Sequence, residues 1–197
     1  MNQEVLDVDM LTFEQGDDNA KRAVIDGVMK SLETGFVYTS HDMSQDFLDE
    51  VYGMLGEFFS KTHPEKEAAK ADGTNGQRGY TGLLVETAAI SDVPDWKEML
   101  NWGKDLPKGH PLKKRYPHRF FDNVFPEELV PGITETLEMF HDQVLDLQLR
   151  FLRIIASGLK ASETFFDSFV PGGATLTRAI NYPAMNLAPD DNHLWAE

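Results

Sequence analysis

Leu176-Thr177-Arg178-Ala179-Ile180-Asn181-Tyr182-Pro183 is the stretch on which the fold turns, because it reads as the opening strand of a sheet followed by a loop. Successive side chains of a strand face opposite sides. Arg178, Ile180 and Tyr182 are therefore expected to point together, with Asn181 turned the other way. Beyond it come Ala184-Met185 and, at the terminus, Asn192-His193-Leu194-Trp195-Ala196-Glu197, which supply no further folded element. A tryptophan buries a large apolar area only where something covers it, and an uncovered apolar edge invites aggregation. The expectation is a sequence that stops just as a larger sheet begins.

The 197 residues carry 33 Asp and Glu against 18 Lys and Arg, a formal net charge of −15. Nucleic-acid binding needs clustered cations to meet phosphates. The only basic cluster, Lys113-Lys114-Arg115 with His118 and Arg119, reads as a solvated loop, so no nucleic-acid partner is expected. The chain has no cysteine, which excludes disulfides, zinc–thiolate sites and thiol nucleophiles. Met1 to Asp7 has neither the basic segment nor the apolar run of a signal peptide. No segment has the apolar length of a membrane span. A soluble, cytoplasmic protein without a membrane partner is expected, and 41% hydrophobic residues suffice for a core.

Upstream of the opening stretch the pattern is mostly helical. Val5 to Phe13 is an edge-strand candidate, and Gly16 to Asn19 offers turn and N-cap chemistry. Ala20, Val24, Val28 and Leu32 fall at helical spacing, with Gly35 ending the segment in the left-handed conformation. Phe36 to Thr39 reads as a strand. Ser44 precedes an apolar stripe of Phe47, Leu48, Val51, Leu55, Phe58 and Phe59, and Pro64 begins a third, short helix. Ala71 to Gly82 reads as an irregular glycine-rich loop without a P-loop ending. Leu83 to Val85 and Glu98 to Gly103 are extended candidates, and His110 to Pro126 is a loop. Ile133 to about Leu159 is the longest helix, followed by a short helix over Glu163 to Phe169. The regions divide as 1–126, 127–170 and 171–197.

The candidates for chemistry are few. Arg178 shares a strand face with Tyr182 and either holds a carboxylate bidentately or pairs with one of the many acidic residues. His41, His63, His110, His118, His141 and His193 are scattered, with no His-x-Asp and no helical His-x-x-x-His pair. None is expected to bind iron. Glu86 has no partner carboxylate or nucleophile beside it in sequence and reads as structural.

Four segments in order carry a resemblance. They are Ser31 to Tyr38, Phe58 to Lys66, Arg78 to Thr87 with Asp95 to Gly103, and Arg178 to Pro183. Together they resemble the isopenicillin N synthase-like branch of the non-haem Fe(II), 2-oxoglutarate-dependent oxygenases, over nearly the whole chain. The chain departs from that pattern at Ser40-His41-Asp42-Met43, at Pro183-Ala184, and in lacking the metal-binding His-x-Asp, the distal histidine and the Arg-x-Ser that grips the cosubstrate. In the family the His-x-Asp directly follows a segment like Leu194 to Glu197.

The resemblance implies an α+β fold, with a helical N-terminal region packed on the start of a double-stranded β-helix (jelly roll) that is incomplete in this chain. It also implies a facial triad of two histidines and a carboxylate. Fe(II) is then the cofactor, 2-oxoglutarate the cosubstrate, and O2 and a small molecule the reactants. Hydroxylation, desaturation or ring closure would accompany release of succinate and CO2. Amino-acid-derived or secondary-metabolite substrates are favoured by analogy. The alternatives are an iron oxidase working without 2-oxoglutarate, as isopenicillin N synthase does, and a metal-free binding module. Tyr182 matches the family tyrosine that reaches toward cosubstrate or substrate, where a phenol donates a hydrogen bond without adding charge. Arg178 joins it. Arg78 and Tyr80, near the position of an arginine that contacts a substrate carboxylate in isopenicillin N synthase, are tentative substrate-binding residues, with Arg78 displaced by one place. No catalytic residue and no metal ligand is assigned within the chain.

Overall fold

The computed structural model describes residues 5–87, 93–170 and 172–184. Leu194, Trp195 and His193 lie outside the described residues. The chain is a mixture of helix and sheet, and it forms two compact units, one of residues 1–45 and 142–173, the other of 46–141 and 174–197. Among the described residues no helix is long and apolar enough to cross a membrane.

In the first unit β1 (Leu6–Val8) and β2 (Val37–Thr39) pair in parallel. Parallel strands need a long crossover, and α1 (Met10–Gln15) and α2 (Asp18–Ser31) provide it. The strand expected over Val5 to Phe13 is cut short because the Asp9 side chain accepts from the backbone N–H of Leu11 and Thr12 and starts a helix there. Met10 and Phe13, one helical turn apart, then turn into the core. Gly35 has φ +77° and donates to the Ser31 carbonyl at 3.0 Å, the expected left-handed stop. Val8, Met10, Phe13, Val24, Val28 and Ile154 make the core. Residues 163–169 are turns where a helix was expected, and Asp167 there is held by Arg153 at 2.8 Å.

The second unit contains α3 (Gln45–Ser60), α4 (His63–Glu67), α5 (Pro111–Arg115) and an antiparallel sheet. The sheet has the order β3 (Gly79–Thr81), β4 (Glu98–Gly103), β5 (Leu176–Asn181). The long helix α6 (Ile133–Gly158) contributes its first turns to this unit. The glycine-rich segment thus yields a strand, β3, while Leu83 to Val85, expected to be extended, forms a turn with Leu84 at φ +60°. Within His110 to Pro126 the short helix α5 starts on the His110 ring, which accepts from the Leu112 N–H. Every residue of β4 is buried. Leu100 and Trp102 meet Val51, Leu55, Phe58 and Leu137 in the core, and the Trp102 indole N–H donates to the Leu137 carbonyl at 2.9 Å.

One charge lies in this apolar setting. The Glu98 side chain is 2% exposed and meets Lys66 Nζ at 2.7 Å. Tyr80 donates its hydroxyl to Glu98 at 2.5 Å and Asn181 its amide at 2.9 Å. Lys66 also reaches the Phe59 carbonyl at 3.0 Å. A buried ion pair is tolerated only when its remaining valences are filled, and here α4, β3 and β5 all supply donors. Burial, followed by the Glu98 carboxylate, pushes the Tyr80 phenol above its ordinary pKa.

Three outcomes are expected for the intact protein. Lys66→Met leaves the Glu98 carboxylate buried with its cation missing and should cost about 3–5 kcal/mol in urea unfolding. Gly79→Ala forces a Cβ to 2.4 Å from the Ala69 carbonyl oxygen at φ +69°, and the loss should exceed about 1 kcal/mol. Unfolded Tyr80 ionises near its ordinary pKa of 10.0 while the folded residue holds its proton to higher pH. Stability should therefore fall as pH rises past that value. Tyr80→Phe, compared with wild type by unfolding across the alkaline range, should flatten this fall.

Candidate functional site

The register of β5 on β4 assembles the site. Glu98 is the ladder partner of Asn181, Met99 of Ile180, and Asn101 of Arg178. Alternation puts Thr177, Ala179 and Asn181 toward the core and leaves Arg178 and Ile180 on the outer, more exposed face. Tyr182, immediately past the strand, is 46% exposed and continues that alternation. The shared orientation expected of Arg178, Ile180 and Tyr182 is what the backbone delivers.

One side chain just before β4 and one within it hold the outer face in place. The Trp96 indole N–H donates to the Pro183 carbonyl at 2.9 Å, pinning the backbone beside Tyr182. Arg178 Nε donates to Asn101 Oδ1 at 2.9 Å, and its Nη2 lies 3.6 Å from Glu86. Glu86 in turn meets Lys97 at 2.9 Å, and Lys97 meets Asp95 at 2.6 Å. The Asp95 carboxylate, joined by Glu86 and opposed by burial, raises the Lys97 pKa above its ordinary value. Glu86 is thus engaged by two cations, and Arg178 has an acidic neighbour while it keeps a third of its side-chain surface open.

The remaining expected contacts lie elsewhere. Tyr80 is the ladder partner of Leu100 and belongs to the opposite face of the sheet from Arg178. It is 2% exposed with its hydroxyl engaged by Glu98, so its surroundings are those of a core residue. Arg78 is 2% exposed, so its side chain is buried although it lies in the glycine-rich segment. Its Nη1 donates to the Gln77 carbonyl at 2.7 Å, while Nε is buried without a hydrogen-bond partner. Burial lowers its pKa, opposed by Asp105. A cavity of about 510 Å³ borders β5, walled by Val51, Leu55, Phe59, Trp102 and Phe140.

Among the described residues no group of three or more His, Cys, Asp or Glu side chains gathers at a point that could hold a metal ion. His141 is buried and hydrogen-bonded to Thr177 Oγ1 at 2.6 Å and Thr175 Oγ1 at 3.1 Å. His63 lies 3.9 Å from Glu67 on α4, and His41 lines an apolar cavity in the first unit. Sequence reasoning missed Lys66, Glu98, Trp96 and Asn101. The available signal was Glu98 and Asn101 inside Met99-Leu100-Asn101-Trp102, since polar groups in an apolar strand need dedicated partners.

Trp96→Phe keeps the ring and removes the bond to Pro183. A loss of about 1 kcal/mol in unfolding free energy is expected, with higher displacement of residues 182–184 in a crystal structure of the variant.

Known proteins resemble this chain in sequence and in fold. The family described as "non-haem dioxygenase in morphine synthesis N-terminal" matches residues 5–128. A probable iron/ascorbate oxidoreductase of Dictyostelium discoideum is 26% identical over 98% of this chain and 55% of its own length. A 2-oxoglutarate-Fe(II) type oxidoreductase of Emericella nidulans is 26% identical over 93% of this chain and 54% of its own. The crystal structure of a putative 2OG-Fe(II) oxygenase family protein from Caulobacter crescentus superimposes with a TM-score of 0.79 at 26% identity, covering 96% of this chain and 59% of that one. A full-length Neurospora crassa protein in complex with alpha-KG gives 0.75 at 26% identity, covering 93% and 56%. The chain spans little more than half the length of these relatives.

Proposed function

Because the chain belongs to the family of N-terminal regions of non-haem dioxygenases, we propose that the protein is an Fe(II)- and 2-oxoglutarate-dependent oxygenase. It oxidises a small molecule with O2 while 2-oxoglutarate becomes succinate and CO2. The observation that carries this reading is the likeness of nearly the whole chain to a structure in complex with alpha-KG and to a named 2-oxoglutarate-Fe(II) type oxidoreductase, with four family segments in order. In this reading β3, β4 and β5 are the first strands of the jelly roll, and the helices pack on them.

Among the described residues no group of three or more His, Cys, Asp or Glu side chains could hold iron. Their contribution is to ligand binding. Arg178 supplies a fixed cation whose open surface suits a carboxylate of the cosubstrate or substrate. Tyr182 supplies a neutral donor on the same side of the sheet. Tyr80 enters as a buried support, since it fixes the carboxylate that in turn holds Asn181, next to Tyr182. Packing of this kind limits the freedom of the binding groups, and a small displacement of such groups is costly to rate.

The intact protein supplied with Fe(II), O2 and 2-oxoglutarate should form succinate, measured by chromatography, and Arg178→Met should raise the KM for 2-oxoglutarate or for substrate about tenfold. A folded, iron-loaded protein that forms no succinate would refute the assignment.

A further inference from the structure

Asn101 has no exposed surface, yet it is a polar side chain in a strand filled by Met99, Leu100 and Trp102. Both ends of its amide are committed. Nδ2 donates to the Gly76 carbonyl at 2.9 Å, and Oδ1 accepts from Arg178 Nε at 2.9 Å. Gly76 sits at φ +70° in the segment leading into β3, so its carbonyl is presented by a left-handed turn that disfavours any other residue. The amide therefore links that turn to the arginine across the ladder.

A guanidinium is a planar fork of five donors. With Nε–H held by Asn101, the plane cannot turn about its last bond without losing that contact. Glu86 approaches Nη2 from 3.6 Å and draws it to one side. Among the described residues no hydrogen bond engages Nη1. Without Asn101 the nearest attraction left is Glu86, toward which the group would swing. An arginine closed onto Glu86 offers a ligand much less positive charge than one held away from it.

We propose that Asn101 is the positioning residue of Arg178, holding its guanidinium by Nε so that the remaining donors form a carboxylate-binding edge on the outer face of β5. This rests on the reading of Arg178 as a ligand-binding residue. The recognised group is a carboxylate, whether of 2-oxoglutarate or of the substrate. The turn at Gly76 belongs to the same device, since it fixes the amide that fixes the arginine.

The test uses the intact protein and the variants Asn101→Leu, Arg178→Met and their double. Asn101→Ser, too short to reach Nε, replaces the leucine variant if that one fails to fold. In crystal structures of the variants, Arg178 should leave its wild-type rotamer and close on Glu86. An Arg178 that keeps its orientation without Asn101 overturns the proposal. In anaerobic calorimetric titration of 2-oxoglutarate into the Fe(II)-loaded protein, each single variant should weaken binding about tenfold, and the double should be no weaker than Arg178→Met alone. An effect of Asn101→Leu that persists in full beside Arg178→Met also overturns it. If Arg178→Met leaves 2-oxoglutarate binding unchanged, Arg178 does not hold the cosubstrate. The carboxylate is then the substrate's, and the orientation of Arg178 in the variant structures alone decides the role of Asn101.

Discussion

A carboxylate that is 2% exposed imposes conditions on everything around it. Ionised Glu98 could not remain in the interior without donors, since an unpaired buried charge costs far more than a hydrophobic contact returns. Lys66 neutralises it, and Tyr80 and Asn181 fill its remaining valences. Those three side chains come from α4, β3 and β5, so one charged group ties together a helix and the whole antiparallel sheet. Replacing such a pair with well-packed apolar residues is often neutral or stabilising, so stability is not what it adds. What the pair adds is register: a slip of β5 by one residue would turn Asn181 away from Glu98.

Register is what the candidate site depends on. With Asn181 fixed opposite Glu98, Arg178 must lie opposite Asn101. From there follow the Nε contact, the approach of Glu86, and the shared outward direction of Ile180 and Tyr182. The segment from Asp95 to Trp102 therefore does two jobs. On the inner face Glu98, Leu100 and Trp102 build the core. On the outer face Trp96 and Asn101 hold the backbone at Pro183 and the guanidinium of Arg178. Motif residues that seem dispersed in sequence become neighbours through one antiparallel ladder.

The first unit is held differently. Arg150 on α6 bridges Glu14 at 2.6 Å and Asp42 at 2.8 Å, and these carboxylates raise its already high pKa further. The apolar cluster of the same unit gathers around Val28 and Ile154. Close backbone approach does the rest. A Cβ on Gly27 would lie 2.5 Å from Val8 Cγ1, and one on Gly158 would lie 2.4 Å from Met29.

Sequence alone determined the elements with strong periodicity. α2, α3 and α6 lie where helical spacing put them, because burial of one face repeats every turn regardless of distant contacts, and β2, β4 and β5 lie where the sequence reads as extended. It also determined the family, the absence of cysteine chemistry, and the common face of Arg178 and Tyr182. It misplaced what local energetics left nearly balanced. Asp9 capping decided helix over strand after Val8. Leu84 turned because its own backbone N–H donates to the Asp95 carbonyl while the Asp95 N–H donates to the Glu86 carbonyl. Glycine-rich Gly79 to Thr81 became a strand only because β4 was there to pair with it. Tertiary structure alone decided that Tyr80 is a core residue, that Glu98 organises the sheet, and that Asn101 holds Arg178. Those roles come from residues 18 to 83 positions apart in sequence, and no local pattern encodes a partner that only the folded ladder brings within reach.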